Sequence, residues 1–275
     1  MPRTTVRVLS ALGASVLSAT LGVLAVTAPA QAAARDGICD TGEFCYYYNS
    51  DQAGSVSDHT GSLADYGTTQ PDCYEFKGAG AGQGLCIKNN AASVWNRTSS
   101  TVRVYYNSDY DASYAYQDLA PGAKTNLNAT LKNNNASHQL IYPAKDDYPY
   151  KGQSTGIDPW NFWKGQCTSF AAWALQSRVG VPFNNQYGGA MWGDAGDWVV
   201  AAGSAGVPVD NSPKAGDIAV SQGGTNGHVA FVTKVNSNGT FEVDEYNYNV
   251  AFAYSHRTVS VGTANNQFSK FIRFK

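Results

Sequence analysis

The sequence predicts two different folds in series: an all-β N-terminal half, and an α+β C-terminal half of short helices with an antiparallel sheet. Three observations carry this. Short apolar runs broken by Gly, Asn, Asp and Ser fill the stretch from about Arg35 to Asn135. An apolar helical pattern begins at Cys167, with Phe170, Trp173 and Ala174 at i, i+3 and i+4. Two alternating runs, His228 to Val235 and Thr240 to Asn247, flank the turn signal Asn236-Ser237-Asn238-Gly239.

The chain opens with Arg3 and Arg7, an apolar run from Val16 to Val26, and the small-x-small sites Ala30-Gln31-Ala32 and Ala32-Ala33-Ala34. This is the layout of a secretory signal peptide over residues 1–34. The apolar run is shorter than the ~20 residues that a membrane span needs. The mature chain is expected to begin near Ala33 or Arg35 and to act outside the cell. Taking the two leader arginines from 19 basic residues against 21 acidic ones leaves a charge of −4. A mildly acidic chain argues against nucleic acid or an anionic membrane as partner.

Five cysteines are an odd number for an oxidising compartment. Cys39, Cys45, Cys73 and Cys86 cluster in the N-terminal half, and Cys167 stands far beyond them. Of three connectivities for the first four, Cys39–Cys45 with Cys73–Cys86 closes the shortest loops. Cys167 is then left free, as a reactive thiol, a buried thiol or an intermolecular bridge.

Within residues 35–131, Tyr47-Tyr48-Asn49-Ser50-Asp51 recurs as Tyr105-Tyr106-Asn107-Ser108-Asp109. Such a pair suggests two similar four-stranded β units packed face to face. Residues 132–152 are rich in Asn, Lys and Asp, with Pro143 and Pro149, and read as a linker or loose edge before a second domain at 153–275.

In that second domain Gly180 and Pro182 end the Cys167 helix. Trp192 to Ala202 suits a second short helix, and Pro213 to Val220 a turn into a strand. Cys167 opens its helix, where unpaired N–H groups and the positive dipole end favour a thiolate. A thiolate nucleophile needs an imidazole, and the imidazole needs a third group to fix its ring.

The hairpin supplies both by counting. If Val235 pairs with Thr240, His228 lies opposite Asn247; if the turn is only Asn238-Gly239, it lies opposite Asn249. Either way His228 shares a face with Glu245 and Asn247, while Glu242 and Asp244 point away. A bulge or odd loop would reverse that. Glu245 or Asn247 is therefore the expected orienter of His228. His59, His138 and His256 lie in polar surroundings and read as solvated. Zinc is disfavoured, since no second Cys or His stands at a ligand spacing.

Four blocks give these residues a resemblance: Trp163-Lys164-Gly165-Gln166-Cys167-Thr168, Pro213-x-x-Gly216-Asp217-Ile218, Gly227-His228-Val229-Ala230-Phe231-Val232, and Val243-x-Glu245-x-Asn247-Tyr248. Together they resemble the CHAP family, cysteine- and histidine-dependent amidohydrolase/peptidase domains of papain-like α+β fold found in bacterial cell-wall hydrolases. The resemblance implies hydrolysis of a peptidoglycan amide through a thioacyl-enzyme. Cys167 is then the nucleophile, His228 the base, Glu245 the acid and Asn247 the supporting amide that orients His228. Gln166 stands near the oxyanion site, with Trp163 and Trp192 as candidate substrate contacts. Some members carry a calcium loop of several Asp before the cysteine; here Asp158 stands alone, and no cofactor is required.

The N-terminal half resembles secreted peptidase-inhibitor-like domains of βγ-crystallin Greek-key type, on its cysteine spacing, Tyr47-Tyr48 leading to Gly54, and Ala92-Ser93-Val94-Trp95-Asn96. Some βγ-crystallin units hold calcium, and Asn89-Asn90-Ala91-Ala92-Ser93-Val94 matches five of the six places of that motif, with Val94 where serine is expected. Asn89, Asn90 and Ser93 are the candidate ligands. Peptidoglycan is the expected substrate, a protease is a candidate partner of the N-terminal half, and the chain is expected to be a monomer. The competing expectation is a secreted inhibitor or wall-binding protein with a degenerate CHAP-like domain.

Overall fold

The computed structural model describes residues 35–264 and 267–274. The expected signal peptide lies outside the described residues. Seven strands build the N-terminal half: β1 (Phe44–Tyr47), β2 (Val56–His59), β3 (Ser93–Asn96), β4 (Thr101–Tyr105), β5 (Tyr116–Leu119), β6 (Lys124–Asn126) and β7 (Ser137–Ile141). They form a four-stranded sheet, β2-β1-β3-β6, and a three-stranded sheet, β5-β4-β7, both antiparallel where paired. One strand fewer than expected thus stands in the second sheet. The repeat is nonetheless structural. Tyr47 closes β1 and Tyr105 closes β4, and each Asn-Ser-Asp run that follows leads into two left-handed residues, Asp51–Gln52 and Asp109–Tyr110. Alternating inward residues, Phe44 and Tyr46 on β1, Val102 and Val104 on β4, fill the space between the sheets. The disulfides are Cys39–Cys45 and Cys73–Cys86, and Cys167 is free.

Two histidines expected in solvent are buried there instead. His59 is on β2 and His138 on β7, at 3% and 0% exposure. His138 Nε2 donates to the Gly61 carbonyl at 2.9 Å, so its Nδ1 must accept from the Tyr66 hydroxyl at 3.0 Å. Tyr66 in turn bonds Tyr46. The network satisfies a neutral ring, and burial pushes His138 down to about 3 and His59 well below its ordinary value.

An unfolded histidine charges near pH 6.5. Between 6.5 and the folded value of about 3 the unfolded chain binds the extra proton, so the stability contributed by His138 is lost as pH falls through that window. The expected slope is about 1.4 kcal/mol per pH unit for each such histidine. Urea midpoints between pH 6.5 and 4 should fall less steeply in His138→Gln than in the wild type. Parallel profiles would refute this.

The segment read as a linker is not one. It contains β7, whose five residues all pair with β4. From there the chain reaches into the C-terminal half. Tyr142 N–H donates to the Thr233 carbonyl at 3.1 Å, the Gln139 amide to the Val235 carbonyl at 3.1 Å, and the Tyr142 ring meets Phe231 edge-on. Most buried apolar residues of both halves form one continuous cluster, from Phe44 to Ile272, and a smaller second cluster around Val232, Phe241 and Phe271 lies in the C-terminal half. Pairing needs along a polar sequence are met by backbone bonds, which is why composition alone suggested a loose edge.

The C-terminal half comprises α1 (Cys167–Ala174), α2 (Trp198–Ser204), β8 (Val209–Asp210), β9 (Ile218–Ser221), β10 (His228–Val235), β11 (Thr240–Tyr246), β12 (Tyr254–Ser260) and β13 (Lys270–Ile272). The strands form one sheet in the order β12-β11-β10-β9-β13-β8. Helix α1 is followed by a wider turn, Leu175–Val179, and ends at Gly180 in the left-handed conformation, as the sequence predicts. Its residues Thr168 to Ala174 are all buried, so α1 lies inside the core and not on its surface. Helix α2 starts six residues later than expected, because Trp192 lies in the preceding loop.

The hairpin register decides the site. Near the turn Val235 pairs with Phe241, not Thr240, which alone would put His228 and Glu245 on opposite faces. A one-residue shift at Thr233 then restores Val232 opposite Val243 and Phe231 opposite Asp244. Continued to the strand end, this register places Glu245 opposite Ala230 and on the face of His228. The odd-length turn and the bulge cancel each other.

Candidate active site

Cys167 is half-buried at the first position of α1. Gly165, two residues before it, is left-handed with φ 74°, and a Cβ there would collide with the Gln153 carbonyl. Only glycine lets the chain turn so tightly into the helix. Gln166 is the extended N-cap residue, and its carbonyl accepts the Phe170 N–H at 3.1 Å. The free N–H groups of the helix start lie at the Cys167 end of α1.

His228 opens β10 and is nearly buried. Its Nε2 donates to Glu245 Oε2 at 2.9 Å. The other ring nitrogen is left for Cys167, which lines the same cleft. Burial by itself would lower the imidazole, but the bonds and charges of Cys167 and Glu245 outweigh it and raise His228 to about 9. Glu245, buried with 0% exposure, is likewise pushed up by burial, yet its bonds to His228 and Arg257 hold it below the usual carboxylate value. His228 is thus an imidazolium at neutral pH. Its folded value exceeds the unfolded 6.5, so its stabilising contribution is complete below pH 6.5 and is lost as pH rises through about 9. The His228 proton-NMR titration should have its midpoint near 9 in the wild type and clearly lower in Glu245→Gln. An unchanged midpoint in the variant would rule out Glu245 as the group that holds the proton.

Arg257 is the residue that sequence reasoning missed. Its Nε donates to Glu245 Oε1 at 2.7 Å and its Nη2 to Oε2 at 3.2 Å, with Ser255 also donating to Oε1 at 3.1 Å. The guanidinium lies 3.9 Å from the Tyr248 ring centre and 5.2 Å from that of Phe268, and both rings also flank His228. The alternation of Tyr254 to Ser260 was the available signal: it marks the next strand, which pairs Ser255 with Glu245. Asp244 points away as expected. It accepts from Arg178 at 2.7 Å, from His256 at 2.8 Å and from Tyr254 at 2.7 Å.

Asn247 does not orient His228. It lies past the strand end in the left-handed conformation, donates to Gln166 Oε1 at 2.7 Å and accepts the Phe252 N–H at 3.0 Å. With its oxygen held by Asn247, Gln166 presents its NH2 group as a donor beside Cys167. Trp163, 60% exposed, lines the cleft of about 500 Å³ that holds Cys167, Gln166, His228 and Asn247. Trp192 does not. It is fully buried among Phe183, Trp198 and Phe274, with its indole N–H on the Tyr187 carbonyl at 2.9 Å. An apolar ring next to a helix start is as good a core residue as a substrate contact, and packing decided it.

Asp158 is a loop staple: one oxygen accepts the N–H groups of Trp160 and Phe162, at 2.8 and 2.9 Å, and the other accepts the Ser169 hydroxyl. At the N-terminal motif, Asn90 donates its amide to the Cys86 and Lys88 carbonyls and Ser93 donates to the Asn49 carbonyl. The Lys132 ammonium enters the same hollow as Asn89 and Asn90 and bonds Ser50 at 2.7 Å. Among the described residues no group of three or more His, Cys, Asp or Glu is placed to hold a metal.

A thiol at a helix start, an imidazolium and a buried carboxylate in that order are the parts of a cysteine nucleophile site. The CHAP domain model matches residues 157–247, a stretch that contains Cys167, His228 and Glu245. The model of peptidase inhibitor family I36 matches residues 32–116. Relatives of the CHAP segment include staphylococcal secretory antigen ssaA2 of Staphylococcus aureus, 42% identical over 101 residues, or 36% of this chain and 34% of the relative. Staphylococcal secretory antigen SsaA of the same species is 41% identical over 103 residues, 37% of each chain. The chain thus spans about a third of the length of the curated relatives it matches. Among solved structures, an N-acetylmuramoyl-L-alanine amidase from Staphylococcus aureus is 26% identical over 47% of this chain and 38% of its own, with TM-score 0.35. A βγ-crystallin from an archaeon is 19% identical over 37% of this chain and 100% of its own, with TM-score 0.27.

Proposed function

We propose that the chain is a secreted peptidoglycan hydrolase that cleaves an amide bond through a thioacyl-enzyme. The observation that carries this is His228, which shares one cleft with Cys167 and is hydrogen-bonded to the buried Glu245. Cys167 attacks the amide carbonyl, and the developing oxyanion meets the helix-start N–H groups and the Gln166 amide. His228 gives its proton to the leaving amine, whose C–N bond breaks. The neutral ring then takes a proton from water, hydroxide adds to the thioester, and the acid is released with the thiol restored. Glu245, held by Arg257, keeps the ring plane fixed. Secretion is supported by the signal-like leader and by relatives named secretory antigens; among the described residues no helix is long and apolar enough to cross a membrane.

The test is incubation with purified peptidoglycan. New amino groups should appear with time, and mass spectrometry of the soluble fragments assigns the bond, sugar to stem peptide for an amidase or within the cross-bridge for an endopeptidase. Binding to the wall without new amino groups would instead favour a wall-binding protein.

A further inference from the structure

The lining of the cleft beside Cys167 includes the uncharged amides of Asn161, Asn185 and Asn226, and no lysine or arginine. Besides the reacting pair, one ionisable side chain lines it: Asp194, which is exposed. Among the described residues its carboxylate takes part in no ion pair. His228 and Arg257 both pair with Glu245, and neither lies within ion-pair distance of Asp194. Its backbone is held in place. Asn185 accepts the Gly193 N–H at 2.7 Å, the Asp194 carbonyl accepts the Asp197 N–H at 2.9 Å, and Gly196 N–H donates at 2.8 Å to Asn226, in the loop that leads to His228. An unpaired charge in a cleft with low-dielectric walls attracts the opposite charge more strongly than on open surface.

We propose that Asp194 is a specificity-determining residue that binds a free ammonium group on the peptide substrate. The site then prefers a peptide with an unblocked amine over the same peptide with that amine acylated. The inference rests on the amide-hydrolase proposal, because it assumes that a peptide enters this cleft. Ile157 and Trp163, exposed and bridged to each other at the same cleft, offer an apolar surface to the uncharged part of such a peptide.

The probes are a soluble stem peptide with a free diamino-acid side chain and the same peptide acetylated at that amine. Calorimetry on the full chain carrying Cys167→Ala reads binding without turnover. Acetylation is expected to weaken binding by about fivefold or more, and the loss should shrink with added sodium chloride. In Cys167→Ala/Asp194→Asn the two peptides should bind alike. The Asp194 assignment is overturned if acetylation costs the same in both proteins, if it costs nothing in either, or if neither peptide binds. Cleavage of wall by the unsubstituted chain is measured separately. Its failure would remove the hydrolase proposal, while the calorimetric difference would still report on Asp194.

Discussion

Replacing Cys167 with alanine is expected to cut release of amino groups from purified peptidoglycan by about 10⁴- to 10⁶-fold. The size follows from the role: without the sulfur there is no acyl-enzyme, and what remains is the effect of binding and of the oxyanion donors. The fold should survive. Cys167 is half-buried and outside both disulfides, so losing one sulfur atom leaves at most a small cavity, at a cost on the order of 1 kcal/mol. A second consequence separates chemistry from packing. The side chain of Cys167 is one of the groups that raise His228, so the midpoint of the imidazole should move below about 9 in the variant. Wall digestion at the wild-type rate by a folded Cys167→Ala protein would exclude covalent catalysis at this site.

Arg178→Met is expected to give the largest loss of stability, about 3 kcal/mol. The Arg178 side chain is 9% exposed and Asp244 is at 0%. The guanidinium bonds Asp244 at 2.7 Å and the Lys145 carbonyl and Asp147 at 2.8 Å. It also faces the rings of Phe170, Trp173 and Phe231. Removing it leaves a carboxylate in the core with only His256, Tyr254 and the Lys145 N–H as partners. For a chain of this size the melting temperature should fall by roughly 6–12 °C. Asp244→Asn in the same background should recover part of the loss, because the uncompensated charge is its main source. A melting temperature within a degree of the wild type would show that the pair contributes nothing.

Both residues bear on how far the sequence could be read. The oddness of the cysteine count and the helix pattern after Gln166 were enough to single out Cys167, since both depend on local chemistry. The face shared by His228 and Glu245 also came out correctly, but through two errors of parity. The turn is one residue longer than assumed, and the bulge at Thr233 restores the alignment. Neither has a residue signature as sharp as Asn-Gly, so periodicity could predict the outcome without its cause. Asn247 was misassigned because a period of two stops applying once the strand ends at Tyr246. Arg257 and Arg178 were missed because each acts on a carboxylate far away in sequence. Trp192, His59 and His138 went the wrong way for one reason: burial is a property of the whole packed chain, and polar neighbours in sequence say little about neighbours in space.

The bond from Tyr142 N–H to the Thr233 carbonyl has a consequence for anyone who would move this catalytic unit between proteins. The CHAP match begins at residue 157, and a cut there would look natural. It would discard Tyr142 and Gln139, which hold the bulged edge of β10 from outside, and uncover the apolar surface that they and β7 protect. The family boundary is therefore not a boundary of the folding unit. A transplanted cassette would have to begin before β7 or carry a replacement for its contacts.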